Sequence, residues 1–148
     1  MDFATHYRRL ESMYQAAPVN QFYLPNMRVE EGKATITMDA AAHHHHSAGA
    51  VHGSVYFKML DDAAFFAANS YEAEVFVVTT SFTTYLTRPV SAGQLRAVGS
   101  VVNQNKQQFI AEAVLYDSDD RELGRGNGIF VRSKNLLHDA KGYADKNA

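Results

Sequence analysis

The sequence predicts an α+β fold in which an antiparallel β-sheet wraps around one long central helix, with an extra helix at the N-terminus. Three observations support this prediction. Residues 54–70 contain no glycine or proline and are apolar on nearly all sides, which indicates a helix buried on most of its faces. Most of the chain after residue 73 consists of strand-like runs separated by turn signals. Outside 54–70, clear helical spacing is limited to residues 2–16.

The N-terminal helix is predicted to be amphipathic. Phe3, Tyr7 and Leu10 recur at helical spacing, and Pro18 stops the pattern. Two short strands are then predicted around a turn at residues 31–32, because apolar and polar residues alternate on its C-terminal side. The later strands are predicted at residues 74–87, 94–104, 108–117 and 122–133.

Glycines at every second position of residues 124–128 predict a strand face that is cleared for close approach of the central helix. No linker or internal repeat divides the chain, so residues 1–148 are interpreted as one domain. Residues 135–148 are expected to form a flexible tail.

Composition excludes several classes of function. The chain has 148 residues, of which 46% are apolar and 20% charged, and its net charge is −2. Without a clustered Lys/Arg face, it is not expected to bind nucleic acid or an anionic membrane. The absence of cysteine excludes disulfides and thiolate metal sites. No apolar run approaches the ~20 residues of a membrane span, so we expect a soluble, cytoplasmic protein.

Two adjacent carboxylates interrupt the apolar central helix. Asp61 and Asp62 stand in SVYFKMLDDAAFFAANS, where a buried carboxylate is costly unless it is paired or used in chemistry. The alternative, that both face solvent on one exposed edge of the helix, stays open at this point. Asp62 is rotated about 100° from Asp61 and is expected to cap or pair elsewhere.

A spacing motif overlaps this helix. In AGAVHGSVYFKMLDDAAFFAANS, residues 48–70, Gly49, His52, Gly53 and Asp61 match Gly-x-x-His-Gly-Gly-x6-Asp, except that Ser54 replaces the last glycine. This segment resembles the signature of the PaaI-like hotdog acyl-CoA thioesterases. The run YLTRPV, followed by a glycine, resembles the Arg-Pro turn of the same family. By element order the resemblance extends over roughly residues 22–133.

The resemblance implies a hydrolase that converts an acyl- or aryl-CoA thioester to the free acid and CoA. The N–H of Gly53, at a helix start, is suited to polarise the thioester carbonyl. His46 stands where the family has asparagine, and its imidazole can hydrogen-bond water or a thioester oxygen. His52 belongs to the motif. The resemblance also places a hydroxyl on the following strand, at Thr79 or Thr80, although both residues are also ordinary strand formers.

Asp61 would act as general base on water or as nucleophile, and the sequence leaves both open. It follows Gly53 by eight residues, about 12 Å at ~1.5 Å per residue, so it cannot reach a carbonyl held at its own helix start. A homodimer with antiparallel helices would bring each Asp61 to its partner's helix start, as the family resemblance also implies. The predicted partners are therefore acyl-CoA and the chain itself, as homodimer or homotetramer.

Other candidate residues are less specific. Arg88, Lys106 and Arg132 could contact the CoA phosphates, but a residue of this kind is more often an ordinary surface cation. Four consecutive histidines, residues 43–46, offer at most pairs on one face, so no metal and no cofactor are expected.

Two other functions are weighed. Asp39 and His44 have the D-x4-H spacing of a hotdog hydratase motif but lack its flanking Gly and Asn-Pro, and a dehydratase would carry glutamate where Lys58 stands. A non-catalytic acyl-CoA sensor would normally add a DNA-binding helix-turn-helix, for which the single N-terminal helix is too little.

Overall fold

A six-stranded antiparallel sheet and three α-helices make up residues 2–144, the part of the chain that the computed structural model describes. The helices are α1 (Phe3–Ala16), α2 (Asn20–Tyr23) and α3 (Gly53–Asn69), with 3-10 turns at Ala42–His44 and Leu137–Asp139. The strands are β1 (Asn26–Glu30), β2 (Lys33–Ala40), β3 (Val75–Leu86), β4 (Gly93–Gln104), β5 (Phe109–Tyr116) and β6 (Glu122–Leu136).

The sheet, in the order β1-β2-β4-β5-β6-β3, wraps around α3. All neighbouring strands are antiparallel, and α3 contacts every one of the six strands. Ten of the 17 residues of α3 are buried, as expected of a helix that is apolar on nearly all sides. Among residues 2–144, no helix has the length and apolar character required to cross a membrane.

Close approach of helix and sheet occurs at Gly99, on β4. A Cβ on this residue would overlap the backbone carbonyl of Ala63, so the strand can lie against α3 only with glycine here. The prediction that the glycines of residues 124–128 clear this approach is wrong. Gly126 and Gly128 instead accommodate β3, because a Cβ on either residue would overlap Phe82.

Helix α1 begins at a capped residue. The Asp2 carboxylate accepts a hydrogen bond of 2.7 Å from the Thr5 N–H. The buried face of α1 is His6, Leu10, Met13 and Tyr14. Phe3, which belongs to the predicted apolar stripe, is 51% exposed. The buried stripe therefore includes a histidine that hydropathy alone does not select.

Residues 135–144, expected to belong to a flexible tail, pack against the rest of the fold. Leu137 and Tyr143 are buried, and the Tyr143 hydroxyl lies 2.7 Å from Nδ1 of His6. Two isolated anchor residues form no periodic pattern, so the sequence did not indicate this packing. The last part of the expected tail, residues 145–148, lies outside the described residues.

Strand β3 forms one edge of the sheet and is 12 residues long. Its exposed apolar side chains include Val78, Tyr85 and Leu86, which are 44%, 57% and 53% exposed. Phe57, on the adjoining face of α3, is 44% exposed and packs edge-to-face on Phe82. A long, apolar edge of this kind favours pairing with another strand.

Candidate active site

Asp61 is the middle residue of α3 and is half-buried. The hydroxyl of Thr79 donates a hydrogen bond of 2.9 Å to its Oδ1. Burial raises the pKa of Asp61 to about 6; the neighbouring Asp62 charge adds to this, and Thr79 and Lys58 oppose it. A carboxylate with a pKa in this range is suited to accept a proton near neutral pH.

The structure brings Thr79, and not Thr80, to Asp61. A β-bulge at Thr80 interrupts the pairing of β3 with β6, between Thr79 opposite Phe130 and Ser81 opposite Ile129. The Thr80 hydroxyl donates instead to the carbonyl of Ile129. Because a bulge changes which side chains face inward, the strand pattern alone could not decide between the two threonines.

Asp62 is ion-paired, as expected from its rotation away from Asp61. Its Oδ2 accepts from Lys58 Nζ at 2.6 Å and from the Tyr14 hydroxyl at 2.7 Å. Burial raises the pKa of Tyr14, which keeps this hydroxyl a donor. Two neighbouring carboxylates therefore occupy different environments: Asp62 is neutralised by a cation, whereas the hydrogen-bond partner of Asp61 among residues 2–144 is a neutral hydroxyl.

A cavity of about 550 Å³ opens beside Asp61. Asp61, Asp62 and Thr79 line it together with a mostly apolar set contributed by α1, α3, β3 and the C-terminal segment. The apolar set includes Tyr14, Phe65, Phe66, Phe76, Val78 and Ala140. A mostly apolar pocket with a few polar groups is the usual form of a small-molecule site. Sequence reasoning missed the contribution of α1 and of residues 140–141.

The start of α3 has a different character. His52 is the N-cap, and its Nδ1 accepts from the Ser54 N–H at 3.0 Å. Within residues 2–144, no acceptor bonds the N–H of Gly53. A helix start with an unpaired N–H is an oxyanion-binding group. Ser54, which replaces the usual glycine, places its hydroxyl 2.8 Å from His52 Nδ1.

The histidine run mainly stabilises its own loop. His46 is exposed, accepts from the Ala48 N–H at 3.1 Å, and has its ring centroid 6.4 Å from that of His52. His44 is buried and accepts from the Ala41 N–H at 3.1 Å. His45 Nε2 lies 2.7 Å from the Ser91 carbonyl. In the described part of the chain, no three metal-ligating side chains come together.

The candidate CoA contacts lie apart in one chain. Arg88 follows β3, close to the residues that precede Gly53, since its neighbour Val90 accepts from the Val51 N–H. Lys106 lies in the β4–β5 turn, at the opposite end of the sheet. Arg132 is paired with Glu72 at 2.9 Å. Of these cations, only Arg88 therefore lies near the helix start.

Asp61 and Gly53 also lie apart in one chain. Helix α3 is continuous from Gly53 to Asn69, so eight residues separate the two by about 12 Å. Within a single chain, the candidate base, Asp61, therefore lies beside the cavity at one level along the axis of α3, and the unpaired N–H of Gly53 lies at another level.

Several known proteins are similar to this chain in sequence or in fold. The family model described as the thioesterase superfamily matches residues 48–123. The structure resembles the Escherichia coli PaaI protein from the phenylacetic acid degradation operon, with a TM-score of 0.82, 21% identity, and coverage of 90% of this chain and 96% of that one. A thioesterase from Haemophilus influenzae matches with a TM-score of 0.74 and 12% identity, covering 93% of this chain and 92% of that one.

A variant of a thioesterase enzyme from Staphylococcus aureus matches with a TM-score of 0.75 and 10% identity, covering 79% of this chain and 99% of that one. Among curated proteins, none matches the chain. At these identities the structural likenesses establish the fold, which confirms the predicted sheet around one central helix.

Proposed function

The chain belongs to the thioesterase superfamily and has the hotdog fold, and on this premise we propose that it hydrolyses an acyl- or aryl-CoA thioester to the free acid and CoA. The observation that carries the proposal is the environment of Asp61. Its carboxylate, with a pKa of about 6, accepts one hydrogen bond from Thr79 at the wall of a mostly apolar cavity. This combination is suited to activate water beside an apolar acyl group.

The proposed reaction uses the groups at both levels of α3. Asp61 takes a proton from water, the oxygen bonds the thioester carbon, and the carbonyl oxygen becomes an oxyanion bound by a Gly53 N–H. Collapse of this intermediate breaks the C–S bond, and the proton held by Asp61 passes to the thiolate. Direct attack by Asp61, with later hydrolysis of the anhydride, uses the same groups. His46 and His52 would contact the substrate from the loop before the helix.

Since one chain separates Asp61 from its own Gly53, the proposed enzyme is a homodimer with composite sites, or a tetramer built from such dimers. The exposed apolar edge of β3 supports an interface between two β3 strands. Thr79 contacts Asp61, and Leu86, at the end of the same strand, lies against Gly53, with Cδ1 2.9 Å from where a glycine Cβ would be.

Antiparallel pairing of two β3 strands about a two-fold axis at Thr83 would place the bulge formed by Thr79 and Thr80 opposite the partner's Leu86. Asp61 would then approach the partner's Gly53, and the symmetric site would form at the other end. Arg88, close to the helix start, is the proposed contact for CoA phosphate. A cytoplasmic location stays a prediction from the sequence.

The hydratase alternative finds less support. Asp39 is exposed on β2, and Nδ1 of His44 already accepts from the Ala41 N–H. The alternative of a non-catalytic acyl-CoA sensor gives no role to Asp61, whose pKa is raised beside an apolar cavity.

A panel of acyl- and aryl-CoA thioesters, assayed by release of free thiol, tests the proposal. The wild type should release thiol from at least one member, and Asp61→Asn should release it ~10² or more times as slowly. Asp39→Asn and His44→Ala should retain activity. Hydration of an enoyl-CoA that depends on Asp39 and His44 would replace the proposal with the hydratase. Binding of CoA esters with no thiol release above background would instead support a non-catalytic acyl-CoA sensor.

A further inference from the structure

We propose that residues 137–144, called the C-terminal strap, close the far side of the acyl cavity and set the largest acyl group that the enzyme accepts. The inference rests on the proposed thioesterase function and assigns the acyl pocket to a defined wall. Asp61 and Thr79 line the same cavity as Ala140 and Lys141 of the strap. An acyl chain that enters beside Asp61 therefore meets the strap as it extends.

The walls between Asp61 and the strap are apolar. They are formed by the end of α1 and the turn after it, by Phe65 and Phe66 of α3, and by Phe76 and Val78 of β3. The nearest cation on α3, Lys58, is already paired with Asp62 at 2.6 Å. These walls suit an uncharged, apolar acyl or aryl group. Its size is limited by a cavity of about 550 Å³.

A buried hydrogen-bond chain holds the strap in place. Nε2 of His6 lies 2.8 Å from the Asn69 carbonyl, which can only accept, so Nε2 carries the proton. Burial lowers the pKa of His6, which keeps the ring neutral. Nδ1 of the neutral ring therefore accepts from the Tyr143 hydroxyl at 2.7 Å. The strap is thus connected through His6 of α1 to the C-terminal end of α3.

Two further contacts fix the strap against its neighbours. The Leu137 N–H donates to the Glu74 carbonyl at 3.0 Å, and the Leu137 side chain is fully buried. Gly142 has φ +90°, and a Cβ there would lie 2.8 Å from the Ser12 carbonyl oxygen and 3.0 Å from Ala16 Cβ. The strap backbone therefore lies directly on α1, next to the turns that line the cavity, and a side chain at 142 would push it away.

Two variants should change acyl selection in opposite directions. Ala140→Leu adds volume at the cavity wall and should shorten the longest accepted acyl group. Gly142→Ala displaces the strap and should admit longer groups. His138→Leu is the matched control, because His138 belongs to the strap, is exposed and does not line the cavity. Thermal unfolding of each variant checks that it is folded.

Two readouts separate this inference from the proposed function. The first is kcat/KM for straight-chain acyl-CoA substrates from butanoyl- to dodecanoyl-CoA, with phenylacetyl-CoA in addition. The second is calorimetric binding of the corresponding free carboxylic acids, which needs no catalysis. For Ala140→Leu we expect a loss of about tenfold or more with the longest acyl group that the wild type accepts, and less than about twofold with the shortest. His138→Leu should match the wild type.

An unchanged acyl preference in both Ala140→Leu and Gly142→Ala, with thiol release intact, would overturn the role of the strap and leave the thioesterase standing. No thiol release from any substrate, together with a shortened series of bound acids in Ala140→Leu, would overturn the hydrolysis and leave the strap as the wall of a binding cavity. No binding of any free acid and no hydrolysis would overturn both.

Discussion

The two levels of helix α3 that carry the site residues differ in almost every physical respect. Asp61 is half-buried, its carboxylate accepts a hydrogen bond from the Thr79 hydroxyl, and a mostly apolar cavity lies beside it. Around Gly53 the neighbouring histidines are exposed, and the one group suited to bind an oxyanion has no partner within residues 2–144.

The difference follows from what each group needs. A carboxylate becomes basic when it is removed from water, whereas a helix-start N–H must stay open to an incoming carbonyl. Both conditions are met on one helix only because about 12 Å separates them. Two copies of the chain, related by a two-fold axis, would bring the buried base of each copy to the open helix start of the other.

The largest expected effect is the loss of the base. Asp61→Asn keeps the size and the hydrogen bond from Thr79 but cannot accept a proton, so kcat should fall by ~10² or more while CoA-ester binding survives. Asp62→Asn is the matched control and should be much milder, because Asp62 is paired with Lys58 and Tyr14. Steady-state kinetics and calorimetric binding measure both. Equal kcat in wild type and Asp61→Asn would refute the assignment.

A smaller effect is expected at the helix start. Gly53→Val keeps the N–H but blocks close approach of the carbonyl, so kcat/KM should fall by about tenfold to a hundredfold. Ser54→Gly, which introduces the glycine usual in the family, should stay within about threefold of the wild type. If Gly53→Val were as active as Ser54→Gly, the carbonyl would not bind at this helix start.

The pH dependence should follow Asp61. Because the base must be ionised, kcat/KM should fall as the pH drops through about 6. Thr79 stabilises the ionised form, so Thr79→Val should raise the pKa of Asp61 and move the acid limb upward by about one pH unit. Thr80→Val, whose hydroxyl bonds Ile129 instead, should leave the limb in place. Equal shifts in both variants would contradict the geometry.

The raised pKa of Asp61 also predicts an effect on stability. Its folded pKa, about 6, lies above the ordinary aspartate value of 3.8, so ionisation destabilises the fold at neutral pH. Asp61→Asn should therefore raise the free energy of unfolding at pH 8 by about 1–2 kcal/mol, less than the full pKa difference implies since the carboxyl is partly solvated. Urea unfolding should show this gain shrinking as the pH falls towards 4. A loss of stability at pH 8 would contradict the raised pKa.

The smallest expected effect concerns metal. Because no group of three ligands assembles in the described residues, exhaustive chelation should leave thiol release within about twofold of its starting value. Activity lost on chelation and restored by zinc would assign a metal role to the histidines at residues 43–46.

The sequence predicted the long periodic elements well because burial dictates their pattern. Helix α3, the hairpin at residues 31–32 and the later strands agree with the structure to within a few residues. Gly53 and Asp61 lie on one helix, so the distance between them could also be predicted from the sequence. Lys58 and Asp62 stand four residues apart, and their pairing could have been predicted from that spacing.

Features that depend on tertiary packing could not be predicted from the sequence. The bulge at Thr80 changes which threonine faces Asp61, and nothing in the local pattern marks it. The glycines of residues 124–128 have the expected spacing, but Gly126 and Gly128 accommodate Phe82 of β3 instead of the helix. The acyl cavity joins α1 to residues 140–141, which lie far apart in the sequence.

Subunit complementation tests the composite site most directly. Chains carrying Asp61→Asn and chains carrying Gly53→Val, with different affinity tags, are co-expressed, and the mixed dimers are purified through both tags. Each mixed dimer should contain one site with both groups intact, so it should have about half the wild-type activity, far above either parent. The reciprocal control is a mixed dimer of wild type with the double variant, which should be nearly inactive because each site then carries one defect. Inactive Asp61→Asn/Gly53→Val mixed dimers, together with a half-active reciprocal control, would contradict the composite site and place both groups of each site in one chain.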